Sequence, residues 1–136
     1  MLDSFTMSDQ LYRDEFMSIF KSGANYGKMV DPSTSAEEVN KFCGDKITLE
    51  LKIANDIVAD AKYTGLSCAV SKVSSSLVTE YAKGKSLTHL KGLTEADIFA
   101  IIGFDLTENR KQCALVCFNA LKKALHKVNN DYDQRN

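Results

Sequence analysis

Residues 46–64 read KITLELKIANDIVADAKYT, and their period decides the fold. Ile47, Leu49, Leu51 and Ile53 alternate with Lys46, Thr48, Glu50 and Lys52, so one face of this strand is apolar and the other wet. Asn55-Asp56 is a pair of turn formers. Beyond it Ile57, Ala59, Ala61 and Tyr63 alternate with Val58, Asp60, Lys62 and Thr64. The pattern predicts a β-hairpin covered on one side, with Ile57 and Ala59 on the covered face. A preceding strand over about 35–40 carries a weaker signal.

After the hairpin the period lengthens to that of a helix. Ala69 to Lys83 puts Val70, Val73, Leu77, Val78 and Tyr81 on one face and meets Gly84, a residue suited to the position after a helix end. Short helices are predicted over Ser86–Leu93 and Thr94–Ile102, with Gly92 and Gly103 as breaks. One last helix, from about Glu108 to Val128, carries Ala120, Leu121, Ala124, Leu125 and Val128 on its buried stripe; the polar tail NNDYDQRN is expected to fray. On the N-terminal side, Leu11, Phe16, Ile19 and Phe20 predict a helix capped by Ser8 or Asp9, followed by a loop over Ser22–Ser35. A sheet early and helices late make an α+β domain. The expectation is a single domain over 1–136: a helix at 8–21, a small antiparallel sheet at about 35–65, and a layer of helices at 69–128.

Composition narrows the function. Seventeen Lys+Arg against eighteen Asp+Glu leave a net charge of −1, which argues against binding a nucleic-acid backbone. No apolar run approaches the length of about 20 residues that a membrane helix needs. The opening MLDSFTMSDQLYRDEF has neither the basic region nor the apolar core of a signal peptide, so a cytoplasmic protein is expected.

Chemistry concentrates in the cysteines. Cys43 precedes the hairpin in Cys43-Gly44-Asp45, Cys68 lies where the hairpin passes into a helix, and Cys113 falls early in the predicted last helix. No two form a C-x-x-C pair, which excludes zinc ribbons and thioredoxin motifs. Each position nevertheless suits a thiolate. Cys68 and Cys113 are placed near helix N-termini, Arg110 stands three residues before Cys113, and Asp45 shares a strand side with Cys43. Three thiolates and one carboxylate are a ligand set for zinc or for part of an iron–sulfur cluster. From spacing alone, dispersed cysteines are core thiols more often than ligands, and Cys117, one helical stripe with Cys113 and Leu121, fits the core best.

The order of these residues resembles the IscU/NifU/SufU family of iron–sulfur cluster assembly scaffolds. The likeness runs from about Leu11 to Leu125. It rests on Asn25-x-Gly27, Cys43-Gly44-Asp45, Asp60-Ala61-Lys62-Tyr63-x-Gly65, Cys68-Ala69-Val70-Ser71-x-x-Ser74-x-Ser76-Leu77-x-Thr79-Glu80, Lys83-Gly84-Lys85 and Arg110-x-x-Cys113-Ala114-Leu115. The resemblance implies a metal site of Cys43, Asp45, Cys68 and Cys113, holding Zn²⁺ as purified and a [2Fe–2S] or [4Fe–4S] cluster transiently. It implies a pyridoxal-phosphate cysteine desulfurase and iron–sulfur recipient proteins as partners, no nucleic acid or membrane, and a monomer or weak dimer. The expected activity is scaffolding, with sulfur transfer through a persulfide as the enzymatic possibility. Gln112 stands where the IscU branch has His, and Leu106-Thr107-Glu108-Asn109-Arg110 where it has Leu-Pro-Pro-Val-Lys. Arg110-x-x-Cys113 is similar to the SufU branch, a zinc-dependent sulfur acceptor. On that ground Cys43 is expected to take the persulfide, with Cys113 as rival and Arg110 as supporting charge.

The remaining candidates are bland. His89 and His126 are expected on the surface. Lys122, Lys123 and Lys127 are expected on a solvated helix face. Ser74, Ser75 and Ser76 are expected to pack closely rather than act as nucleophiles, since no His lies near them in sequence.

Overall fold

The computed structural model describes residues 7–41 and 44–135, with side chains for 13–41 and 44–128. The hairpin is present: β2 (Asp45–Ala54) and β3 (Ile57–Leu66) pair antiparallel, and β1 (Thr34–Asn40) lies on the other side of β2, in the order β1-β2-β3. Asn55 and Asp56 both take positive φ, 55° and 62°, as the tight turn between twisted strands requires. One feature of the hairpin corrects the sequence reading. Lys52 faces Asp60 but Ile53 faces Val58, so Ala59 is an extra residue that shifts the pairing. The bulge reverses the alternation. Val58, Ala61 and Tyr63 are fully buried, whereas Ile57 and Ala59 turn outward. The weak signal of β1 has its own cause. Its inward residues Thr34, Ala36 and Asn40 are small or polar, and Thr34 donates its hydroxyl to the carbonyl of Ala124.

The helices are α1 (Met7–Ser22), α2 (Ala69–Ala82), α3 (Leu87–Lys91), α4 (Glu95–Ile102), α5 (Glu108–Ala114) and α6 (Val116–Arg135). Because α1 begins at Met7, Ser8 and Asp9 lie inside its first turn and do not cap it. The core forms where Ile47, Leu49, Leu51 and Tyr63 of the sheet meet Val78 and Ala82 of α2 and Phe118, Leu121, Ala124 and Leu125 of α6. The single last helix of the sequence reading is two helices. At Leu115 the N–H bonds back to Gln112, and the carbonyl of Ala114 accepts the Ser74 hydroxyl from α2. A side-chain donor from a neighbouring helix thus competes at the point where the ladder tightens. Beyond the break α6 continues to Arg135, past the expected end at Val128. No helix among the described residues is long and apolar enough to cross a membrane.

Two polar arrangements complete the frame. Asn25, at φ 68°, accepts the Tyr63 N–H on its carbonyl, donates to Thr79 and Glu80, and accepts from Lys83, which also pairs with Asp60. Residues scattered through the quoted motifs are therefore one latch fastening the first loop to β3 and α2. On the opposite side, Lys123 donates to the Glu37 carbonyl and the Glu38 carboxylate, and Lys127 to the Ser35 carbonyl. These lysines are exposed as expected, and their ammonium groups also cover the outer edge of β1 and deter pairing with another strand.

The register of β2 and β3 is held at its Asp45 end by a close backbone approach. Gly65 has φ +136°, and a Cβ there would lie 1.8 Å from the Lys46 carbonyl oxygen. Gly65→Ala is expected to destabilise the chain by about 3 kcal/mol or more. Urea unfolding followed by circular dichroism measures this; a loss under about 1 kcal/mol would show that the strands separate there at little cost.

Candidate metal centre

The end of the sheet where β2 begins is also where α2 begins. Asp45, the first residue of β2, is 2% exposed, and its Oδ1 accepts the backbone N–H of Cys68 at 2.8 Å. Cys68 is the N-cap of α2, with extended φ −73° and ψ 170°, and its Sγ accepts the Ser71 N–H at 3.5 Å. The Cys68 thiol points at Asp45 Oδ2, 3.4 Å away. This bears out the placement of Cys68 at a helix start, where free N–H groups favour a negatively charged sulfur.

Cys113 arrives by a different route. It is the sixth residue of α5, which starts at Glu108 as expected, but the break at Leu115 also puts it in the last turn of that short helix. The dipole there disfavours a thiolate. What meets its sulfur is the side-chain amide of Asn40, with Nδ2 3.8 Å from Sγ. Asn40 closes β1 and is buried, and nothing in its type or spacing drew attention to it. An inward polar residue three positions before Cys43 was the available signal.

Asp45, Cys68 and Cys113 thus form one cluster whose ligand atoms all lie within 4.8 Å of one another. Bond lengths of about 2.0–2.3 Å in a tetrahedral zinc site put neighbouring ligand atoms about 3.3–3.8 Å apart, so a contraction of about 1 Å closes the set. The donors suit zinc: two thiols, one carboxylate, and room in the set for a third thiol. The fourth expected ligand, Cys43, lies outside the described residues. Gly44 beside it has φ 75° and returns its N–H to the Asn40 carbonyl at 2.8 Å. Arg110 is exposed on α5, and among the described residues no ion pair or side-chain hydrogen bond ties its guanidinium to the cluster. Asp45, Cys68 and Cys113 are brought together; Arg110 is not joined to them.

A match to the NifU-like N terminal domain spans residues 11–136. The chain belongs to that family. A zinc-dependent sulfurtransferase SufU of Bacillus subtilis is 32% identical over 136 residues, covering 88% of this chain and 92% of its own length. Iron sulfur cluster assembly protein 1 of Trachipleistophora hominis is 30% identical, covering 98% of this chain and 95% of its own. In three dimensions the chain is similar to the N-terminal part of a NifU-like protein from Brucella abortus, with a TM-score of 0.70 at 18% identity, covering 92% of this chain and 99% of that one. A putative SUF-system scaffold from Fervidobacterium islandicum gives 0.67 at 24% identity, covering 81% and 93%. Both structural likenesses bear on the fold, and they support the α+β reading.

Cys117 sits four residues behind Cys113 and is fully buried. Loss of hydration pushes its thiol from 9.0 up to about 12, against a smaller opposing effect of the Ser75 hydroxyl. In the folded chain at pH 8, iodoacetamide should label Cys68 well before Cys117, read by peptide mass spectrometry; equal rates would contradict the packing. The raised value also sets a sign. Below pH 9 both states hold the proton and Cys117 contributes no slope. Between 9 and about 12 only the unfolded chain releases it, so stability falls as pH rises. Tyr63, also raised by burial, adds a slope of the same sign. The difference between wild type and Cys117→Ala across pH 9 to 11 isolates the cysteine.

Proposed function

We propose that this chain is an iron–sulfur cluster assembly scaffold that accepts sulfur from a pyridoxal-phosphate cysteine desulfurase and builds or passes on a labile [2Fe–2S] or [4Fe–4S] cluster. The observation carrying this is the convergence of Asp45, Cys68 and Cys113 at one end of the fold, in a family whose members include named cluster assembly proteins. Cys43, two residues from Asp45 in the chain, completes the proposed set. Iron and sulfide are cargo. Bound in their place, zinc would hold the thiols deprotonated at neutral pH without redox chemistry of its own.

The chain's own residues divide the work. Cys113 is 7% exposed and held by Asn40, while Cys68 is fixed by its capping position and by Asp45. Both are suited to staying in place. Cys43 is the acceptor on this reading: its thiolate attacks the terminal sulfur of the desulfurase persulfide. The donor's S–S bond breaks, the desulfurase leaves as a thiolate, and the persulfide now resides on Cys43. Charge and sulfur balance with no external oxidant. Val39, Lys46 and Leu66 form a row across the outer face of the sheet beside the cluster; Val39 is 46% and Leu66 84% exposed. Such an apolar rim suits docking by a protein partner. Arg110, exposed on α5, suits a contact with the partner better than a role on the thiolate.

The second reading is a zinc-dependent sulfur acceptor that holds no cluster. The SufU relative and the Arg110-x-x-Cys113 pattern favour it. Anaerobic reconstitution with ferrous iron, sulfide and reductant separates the two. A scaffold develops visible charge-transfer absorbance with zinc displaced, and Cys43→Ser, Cys68→Ser and Cys113→Ser each abolish it while Cys117→Ser keeps it. A chain that retains about one zinc and stays colourless is the sulfur acceptor.

The acceptor assignment has its own test. After incubation with desulfurase and cysteine, mass spectrometry should find one added sulfur on the peptide containing Cys43. Sulfur confined to the Cys113 peptide, with normal transfer in Cys43→Ser, would assign the role to Cys113.

A further inference from the structure

Asn40 faces inward at the end of β1, where the core would accept an apolar side chain. It is 9% exposed, its backbone carbonyl already receives the Gly44 N–H, and its amide reaches a sulfur 3.8 Å away. A buried amide costs free energy unless its hydrogens are bonded. A ligating cysteine sulfur is a better acceptor than a free thiol, so this contact suits a Cys113 that serves as a ligand.

We propose that Asn40 is a positioning residue of the candidate metal centre: its amide orients the Cys113 sulfur toward the metal position and blunts it as a nucleophile. This rests on the metal-binding reading above and adds the group that decides which cysteine stays. A hydrogen bond to sulfur withdraws charge, which orients a ligating thiolate and lowers its reactivity toward electrophiles. Cys68 receives its hydrogen bond from a backbone N–H, that of Ser71, which any residue in that turn would offer. The bond to Cys113 comes from a side chain, so one substitution removes it.

Asn40→Leu keeps the size and deletes the donor. By chelator competition its zinc affinity should fall about 10–100-fold. In the Co²⁺-substituted protein the sulfur-to-cobalt charge-transfer band should move to longer wavelength, because the sulfur electrons are no longer stabilised. Cys113, buried in wild type, should react faster with iodoacetamide in the variant. A residue that merely fills space would leave the band where it is. Where circular dichroism shows that Asn40→Leu does not fold, Asn40→Ala, smaller, uncharged and also without a side-chain donor, must show the same band shift. A folded, cobalt-loaded variant with an unmoved band and an unchanged Cys113 rate overturns the proposal while the metal centre stands. Wild type that binds neither zinc nor cobalt overturns both.

Discussion

The Asp45 carboxylate receives the Cys68 N–H at 2.8 Å, and this bond joins the sheet to the helical layer at the candidate metal centre. It exists only in one register of the hairpin. Lys46 faces Leu66 and Ile47 faces Gly65, which carries the chain the short distance from β3 to the cap of α2. A slip of one residue would turn Asp45 to the other face of the sheet and take its charge away from both cysteines. The bulge at Ala59 and the close approach at Gly65 sit toward opposite ends of the hairpin and both oppose such a slip. Features that look like irregularities of a small sheet are what place a ligand.

Cys113 depends on a second constraint, the small hydroxyl residues of α2. Ser71, Ser74, Ser75, Ser76 and Thr79 are all buried, and with such small side chains α5 and α6 pack closely against them. Ser74 then takes the Ala114 carbonyl at the break between the two helices, and Tyr63 anchors Ser76 at 2.7 Å. The hydroxyl of Ser71 is buried without a hydrogen-bond partner among the described residues, a local cost at the turn that also presents an N–H to Cys68. Larger residues on this stripe would satisfy the core and push Cys113 away from Cys68.

The hairpin, α2 and the capping position of Cys68 were legible in the sequence because each has a local signature: alternation, a helical stripe, a turn pair. The bulge was not, since Ile57 and Val58 are equally apolar and nothing local says which one faces the helices. The break at Leu115 was hidden for a similar reason. Its cause is a hydroxyl from α2 that lies 40 residues earlier in the chain. The exposure of Lys123 and Lys127 was legible, but their contacts with strand carbonyls and that of Asn40 with a sulfur were not, because those contacts are tertiary. The ordered set of Cys43, Asp45, Cys68 and Cys113 was legible as a resemblance. Of its members, Asp45, Cys68 and Cys113 are seen to gather.

A scaffold must hold its cargo and also give it up, and the hydrogen bonds of Asp45 bear on how one site does both. Oδ1 is committed to the Cys68 N–H, whereas Oδ2 faces a thiol that loses its proton when it becomes a ligand. With a metal bound, loss of that proton would leave Oδ2 facing the metal position while the backbone bond keeps the carboxylate aimed. A carboxylate oxygen is harder than a thiolate and a weaker match for iron or zinc in a sulfur-rich set. Asp45 is thus held in orientation by the protein and only loosely by what it binds. Cys113 is the opposite, a soft donor fixed in a buried place by Asn40. One firm ligand and one weak, pre-aimed ligand would give a centre that opens from a defined side, the side where Asp45 begins β2 and Cys43 precedes it in the chain.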